Sequence, residues 1–204
     1  MESRWFNYFF YNWVFMSIKK TLKSILGIFR PLLNAFLSIF FDKKYLTGRH
    51  FDKGFNGYRW SIRAIWTRNI LRLAPPLPFP AGLNVIVSNP KNLSFHPDDL
   101  NNFQSPGTYF QNFKGKIEIG HGTYIAPNVG IITANHDFNS LDGHTDGENV
   151  VIGDQSWLGM NVVLLPGVVL GGKTIVAAGA VVTKSYPDGN VVLAGIPAKP
   201  IKNL

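Results

Sequence analysis

Ile152-Gly153-Asp154-Gln155-Ser156-Trp157-Leu158-Gly159-Met160-Asn161-Val162-Val163-Leu164, running on through Leu170 and Val176 to Val182, places an aliphatic residue at every sixth position. The same beat falls upstream on Ile119, Ile125 and Ile131. A small residue follows at Gly120, Ala126, Gly153, Gly159, Gly171 and Ala177. A period of six matches neither the helical repeat nor the simple alternation of a strand. It is the pattern of a parallel β-helix, in which each six-residue unit forms one flat face of a coil and coils stack. The aliphatic residue points to the coil axis and the small one lets the backbone turn the corner. Stacking then buries a continuous core that no single repeat buries alone. The expected fold class is therefore mainly β, with a parallel β-helix over 83–204 and Val87 and Leu93 as its first repeat positions. Between Leu93 and Ile119 the beat is irregular and fixes no register.

Upstream of the repeats the composition changes. Ala74-Pro75-Pro76-Leu77-Pro78-Phe79-Pro80 cannot be helical, because proline removes amide donors and fixes an extended chain. Residues 74–82 are expected to be a linker between the repeat domain and an amphipathic, mostly helical extension over 1–73. That extension carries the charge: residues 1–80 hold 13 Lys/Arg against 3 Asp/Glu, and residues 81–204 hold 7 against 9. It is also apolar. Trp5 to Met16 is an aromatic cluster, Lys19, Lys20 and Lys23 follow, and aliphatic and aromatic residues resume from Ile25 to Phe41. Residues 56–72 interleave Tyr58, Trp60, Trp66 and Leu71 with Arg59, Arg63, Arg68 and Arg72. Aromatic rings suit the headgroup level and Arg and Lys suit anionic lipid. Neither apolar run reaches the roughly 20 uninterrupted residues of a spanning helix, and the aromatic cluster precedes the lysines, unlike a cleaved signal peptide. An in-plane anchor on an anionic membrane is the expectation. The alternative is a set of helices that cap the coil. Nucleic acid is not an expected partner, because aliphatic runs serve no phosphate backbone. The chain has no cysteine, which excludes disulfides and thiolate metal sites.

The beat slips once. Ile131 and Ile152 are separated by three residues more than three hexapeptides, and 133–149 is rich in polar residues and glycine. Such an insertion must leave the coil, and function on repeat scaffolds gathers where insertions project. His136 stands at the exit into it. A loop-edge imidazole held by a rigid wall suits a general base, although on position alone a plain surface histidine is the favoured reading.

The blocks Ala134-Asn135-His136-Asp137, Ile152 to Gly159, Leu164-Leu165-Pro166-Gly167-Val168, Val176 to Lys184 and Ala194 to Lys199 together resemble the hexapeptide-repeat acyltransferases. Within them the chain is most similar to the galactoside, maltose, xenobiotic and capsule-polysaccharide acetyltransferases. The resemblance covers 115–202 and leaves 1–80 outside. It implies a left-handed coil, which composition cannot reveal because most parallel crossovers are right-handed. It implies direct acetyl transfer from acetyl-CoA to a sugar hydroxyl, with His136 as base and Asn135 and Asp137 beside it. The oxyanion donor falls at the amide of Gly159 or Met160. Coenzyme A is expected along Trp157, Gly159, Met160, Ala178, Thr183, Lys184 and Lys199. A homotrimer is implied, with one chain supplying His136 and the next part of the coenzyme wall.

The expected function is O-acetylation of a bacterial glycan or lipid-linked glycan intermediate. The expected location is the cytoplasmic face of the inner membrane, peripheral or monotopic. N-acetylation of an amino sugar and a non-catalytic coil organising a membrane assembly stay open. No metal is expected. Of the five histidines, His121, His136 and His144 invite comparison with the zinc site of γ-class carbonic anhydrases, which share the coil, but their spacing does not match.

Overall fold

A computed structural model describes residues 27–138 and 140–204. The aromatic cluster at Trp5 to Met16 and the lysines at 19, 20 and 23 lie outside the described residues. The chain divides into two compact units between Ile39 and Phe40. In the first, a helix spans Arg30–Leu37 with proline in its first turn, where a missing amide costs nothing. Among the described residues no helix is long and apolar enough to cross a membrane.

The second unit is a coil of parallel strands with three faces. The first face carries β1 (Ile86–Val87), β3 (Tyr109–Gln111), β6 (Gly130–Ile132), β11 (Val163–Leu164) and β14 (Val181–Val182). The second carries β2 (Leu93–Ser94), β4 (Ile117–Ile119), β9 (Val150–Ile152) and β12 (Val169–Leu170). The third carries β5 (Tyr124–Ile125), β10 (Trp157–Leu158), β13 (Ile175–Val176), β15 (Val191–Ala194) and an antiparallel end strand, β16 (Lys199–Asn203). From β9 to β14 the chain visits second, third and first face in turn, one hexapeptide per face. All nine periodic aliphatics are buried, and Ile131, Leu158, Leu164, Val176 and Val182 are fully so. Buried hydroxyls stack beside them. Thr123 Oγ1 donates to the Gly153 carbonyl and accepts from the Ser156 amide, and Ser156 Oγ accepts from the Thr174 amide.

Corners explain the non-repeating letters. Asn128 and Asn161 turn left-handed at φ 61° and 60°, in the column where Gly179 turns at φ 73°. Asparagine tolerates that region better than most residues. The irregular first coil has a different cause. A 3-10 helix, Pro97–Gln104, occupies the place of a third-face strand. Its side chains do the work of a ladder on the β5 edge. Asp99 Oδ2 accepts from the Gly122 amide at 2.8 Å, Asn102 Oδ1 accepts from the Ile125 amide at 3.0 Å, and Ser105 Oγ donates to the Ile125 carbonyl at 3.0 Å. An open strand edge is thereby covered. Phe79, Phe95, Phe103 and Phe110 pack as successive ring pairs with centroids 4.3–5.2 Å apart and fill the end of the core.

Residues 40–82 belong to this same unit. A helix at Asn56–Ala64 continues as a π-turn at Ile65–Ile70. Its inner face buries Tyr58, Ser61, Ala64, Ile65 and Arg68. Arg68 corrects one expectation. It does not face outward with the other basic residues of 56–72 but is 2% exposed. Its guanidinium donates to the carbonyls of Pro75, Gly82 and Val85 at 2.7, 2.6 and 2.5 Å. Burial pulls its pKa below the usual guanidinium value. The proline-rich stretch is held further by the Asp42 amide on the Pro78 carbonyl and by Gln104 Nε2 on the Pro80 carbonyl.

Candidate active site

The insertion at 133–149 leaves the coil at the corner between first and second faces and returns to it as β9. It is built as a hairpin, β7 (His136–Asp137) against β8 (Ser140–His144), with His136 paired to His144. Its exit is clamped. Gln111 on β3 donates through Nε2 to the Ala134 carbonyl at 2.9 Å, and its Oε1 accepts from the amides of Thr133 and Ala134 at 3.0 and 3.1 Å. Asn135 and Thr145 exchange main-chain and hydroxyl bonds at the base, with the Thr145 amide 2.9 Å from the Asn135 carbonyl. Asp137 pairs with Ser140 in the hairpin ladder.

His136 is exposed, and its orientation is fixed. Nδ1 lies 2.7 Å from the Leu141 carbonyl. A carbonyl oxygen only accepts, so this bond forms when Nδ1 carries the proton. Nε2 of a neutral ring is then the acceptor, the state a general base needs. At Nδ1 the partner of the ring is a main-chain carbonyl. The His144 ring lies against His136 with centroids 4.4 Å apart and is met edge-on by Phe113 at 4.9 Å. Lys114 Nζ donates to the His144 carbonyl at 3.2 Å.

The expected coenzyme residues fall into three places. Trp157 stands on the outer third face in register with Tyr124 and Ile175, because Leu158 beside it takes the inward position. Gly159, Met160 and Ala178 lie together at the corner between third and first faces. There a Cβ on Gly159 would come 2.6 Å from the Ala178 amide nitrogen, so only glycine allows the coils this approach. The Gly159 amide donates to the Val176 carbonyl at 2.8 Å and is committed to the coil. Met160 accepts at its carbonyl from Gly179 at 2.8 Å, and its own amide has no acceptor among the described residues. Of the two expected oxyanion donors, Met160 is the one available. Thr183 and Lys184 are exposed at the corner between first and second faces, and Lys199 is exposed at the start of β16. Tyr186, unremarked in sequence, links the segment that carries Lys184 to the residue before Lys199. Lys184 Nζ lies 5.7 Å from its ring centre, and its hydroxyl donates to the Ala198 carbonyl at 2.8 Å.

One chain does not bring the base and the free amide to one edge. Met160 and Asn161 form the turn that enters the first face, β11 crosses it, and Leu165 follows at the far end. The His136 hairpin leaves from the corner that Leu165 occupies, and the Met160 amide stands at the other.

Residues 149–184 match the family model described as bacterial transferase hexapeptide (six repeats). Over 92 residues the chain is 44% identical to the proposed acetyltransferase YJL218W of Saccharomyces cerevisiae, covering 44% of this chain and 46% of that one. It is 35% identical over 91 residues to galactoside O-acetyltransferase of Escherichia coli K12, covering 43% and 44%. It is 40% identical over 98 residues to WbbJ of the same organism, a proposed O-acetyl transferase of lipopolysaccharide biosynthesis, covering 42% and 50%. The matched region spans about half the length of these curated relatives or less. Residues 149–184 thus match a hexapeptide-repeat transferase model, and over less than half of its length the chain is similar to galactoside O-acetyltransferases and to proposed acetyltransferases of lipopolysaccharide and colanic acid biosynthesis.

Proposed function

We propose that this protein is an acetyl-CoA-dependent O-acetyltransferase acting on a sugar hydroxyl of a bacterial glycan or lipid-linked glycan. The observation that carries the proposal is the His136 ring, exposed and held at Nδ1 by the Leu141 carbonyl. Nε2 takes the proton of the acceptor hydroxyl as that oxygen attacks the thioester carbonyl. The Met160 amide donates to the resulting oxyanion. Collapse breaks the carbon–sulfur bond, and the coenzyme thiolate recovers the proton from the imidazolium. A fixed amide donor of this kind is worth about 3 kcal/mol of barrier.

Reacting atoms must come within about 3–3.5 Å, and the two corners of the first face are far more distant than that. The separation supports a trimer of left-handed coils, with His136 of one chain facing the Met160, Ala178 and Trp157 corner of the next. Lys184 and Lys199 then meet the coenzyme phosphates as point charges.

The helix and π-turn over 56–70 support membrane contact. Arg59, Ile62, Arg63, Trp66 and Ile70 are exposed at helical spacing, so apolar and basic groups share the outward face. That is the composition of an in-plane anchor on anionic lipid. An acceptor presented at the cytoplasmic leaflet fits it, whereas a soluble sugar needs no such surface. The test is a screen with radiolabelled acetyl-CoA against sugars and membrane glycolipid extracts. The expected product carries an alkali-labile ester. An alkali-stable amide would refute O-transfer, and absence of both label transfer and CoA binding would leave the coil a scaffold.

A further inference from the structure

We propose that His96, Asp99 and His121 form a binding site for one divalent transition-metal ion of the zinc type, at the end of the coil and apart from the His136 hairpin. One ligand atom from each of the three lies within 4.8 Å of the other two. The histidine rings lie against each other with centroids 4.1 Å apart. His96 Nδ1 and His121 Nε2 both face Asp98 Oδ2, at 4.0 and 3.8 Å. Two imidazoles and a carboxylate make a donor set that suits zinc, cobalt or nickel, with a position left for water. Tetrahedral ligands at about 2.0–2.1 Å from zinc stand about 3.3 Å apart. The two half-exposed imidazole side chains can close that gap by small rotations.

The surroundings favour a cation. Asp99 is 1% exposed. Its Oδ2 is used by the Gly122 amide, and Oδ1 has no hydrogen bond among the described residues. A buried carboxylate with one oxygen unbonded favours a further positive partner. Arg49 does not fill that need. Its guanidinium is held by the Asp98 carbonyl at 2.6 Å and Asn101 Oδ1 at 2.8 Å, and it stops 3.8 Å from Asp99. With neutral imidazoles, Asp98, Asp99 and Arg49 leave one net negative charge for a divalent ion to meet. His96 Nδ1 now accepts only a 3.2 Å contact from the Asp98 amide, which a metal would replace. A bound ion would staple the 3-10 helix at Pro97–Gln104 to the corner before β5. The triad is invisible in sequence because its members come from two successive coils. The spacing that argued against zinc concerned His121, His136 and His144 instead.

The experiment uses the full-length protein, stripped with chelator and titrated with zinc and with cobalt. The variants are His96→Asn, His121→Asn and a His136→Asn/His144→Asn control. Asparagine at 96 keeps a side-chain cap for the 3-10 helix, and among the described residues the His121 ring makes no hydrogen bond that its loss would strand. The expected result is one equivalent of metal per chain, a visible cobalt band and a zinc-dependent rise in melting temperature. Either single variant should weaken binding at least tenfold, and the control should bind as the wild type does. Failure of the wild type to hold a stoichiometric ion would overturn the proposal. So would undiminished binding in both single variants, or loss of binding in the control. None of these outcomes depends on acetyl transfer.

Discussion

Replacing Arg68 by methionine should remove a large share of the stability of the second unit. Methionine keeps the length and apolar stem but removes every donor. A longer bond at 3.3 Å to the Leu83 carbonyl is lost. Three short bonds vanish with it, to the carbonyls of Pro75, Gly82 and Val85. The Val85 contact is buried and the other two partly so. Charging about 2 kcal/mol for the buried acceptor and about 1 kcal/mol for each of the others gives a loss of about 4 kcal/mol. Domains of this kind have about 5–15 kcal/mol in total, and at this size the loss lowers the melting temperature by roughly 8–16 °C. Urea titration followed by tryptophan fluorescence and circular dichroism measures it as a fall in midpoint at unchanged slope. Arg68→Lys keeps a charge but not the forked geometry that reaches all these carbonyls, and should recover only part of the loss. A methionine variant within about 1 kcal/mol of wild type would show that the proline-rich stretch is not pinned by this side chain.

Two further outcomes follow from the geometry. Gly159→Ala should lower both the melting temperature and coenzyme A affinity, the latter at least tenfold by calorimetry. Its Cβ would sit 2.6 Å from the Ala178 nitrogen and 3.0 Å from the Val176 carbonyl, forcing two coils apart where the coenzyme is proposed to lie. Ile62→Ser with Trp66→Ser should release protein from liposomes containing anionic lipid, with unchanged melting, because both side chains are exposed. Equal cosedimentation of the variant and the wild type would remove these two residues from any membrane contact.

The coil was legible because a strict period fixes side-chain direction whatever the neighbouring letters are. Ile152 to Val182 therefore revealed both the fold and its inward residues. The first coil was not legible, because a 3-10 helix stands in for a strand and Asp99, Asn102 and Ser105 serve its edge through side chains. Arg68 misled for a related reason. A basic residue in an aromatic-basic run resembles its neighbours until the backbone places carbonyls around it. At the hairpin, the place of His136 at the slip was readable from the beat, and its expected role came from the family blocks alone. The Leu141 carbonyl that holds its ring was not, since a main-chain oxygen has no letter of its own. Gln111 was equally silent, 25 residues upstream of the imidazole whose exit it clamps. The stacking of His144 on His136 follows from hairpin pairing and becomes readable once 133–149 is treated as a folded arm.

The most direct measurement is the rate of acetyl transfer by a His136→Ala variant whose coenzyme A affinity is shown by calorimetry to match the wild type. Loss of a positioned general base should lower kcat by about 10²–10⁴-fold, with the coenzyme still bound. Turnover at the wild-type rate would contradict the account.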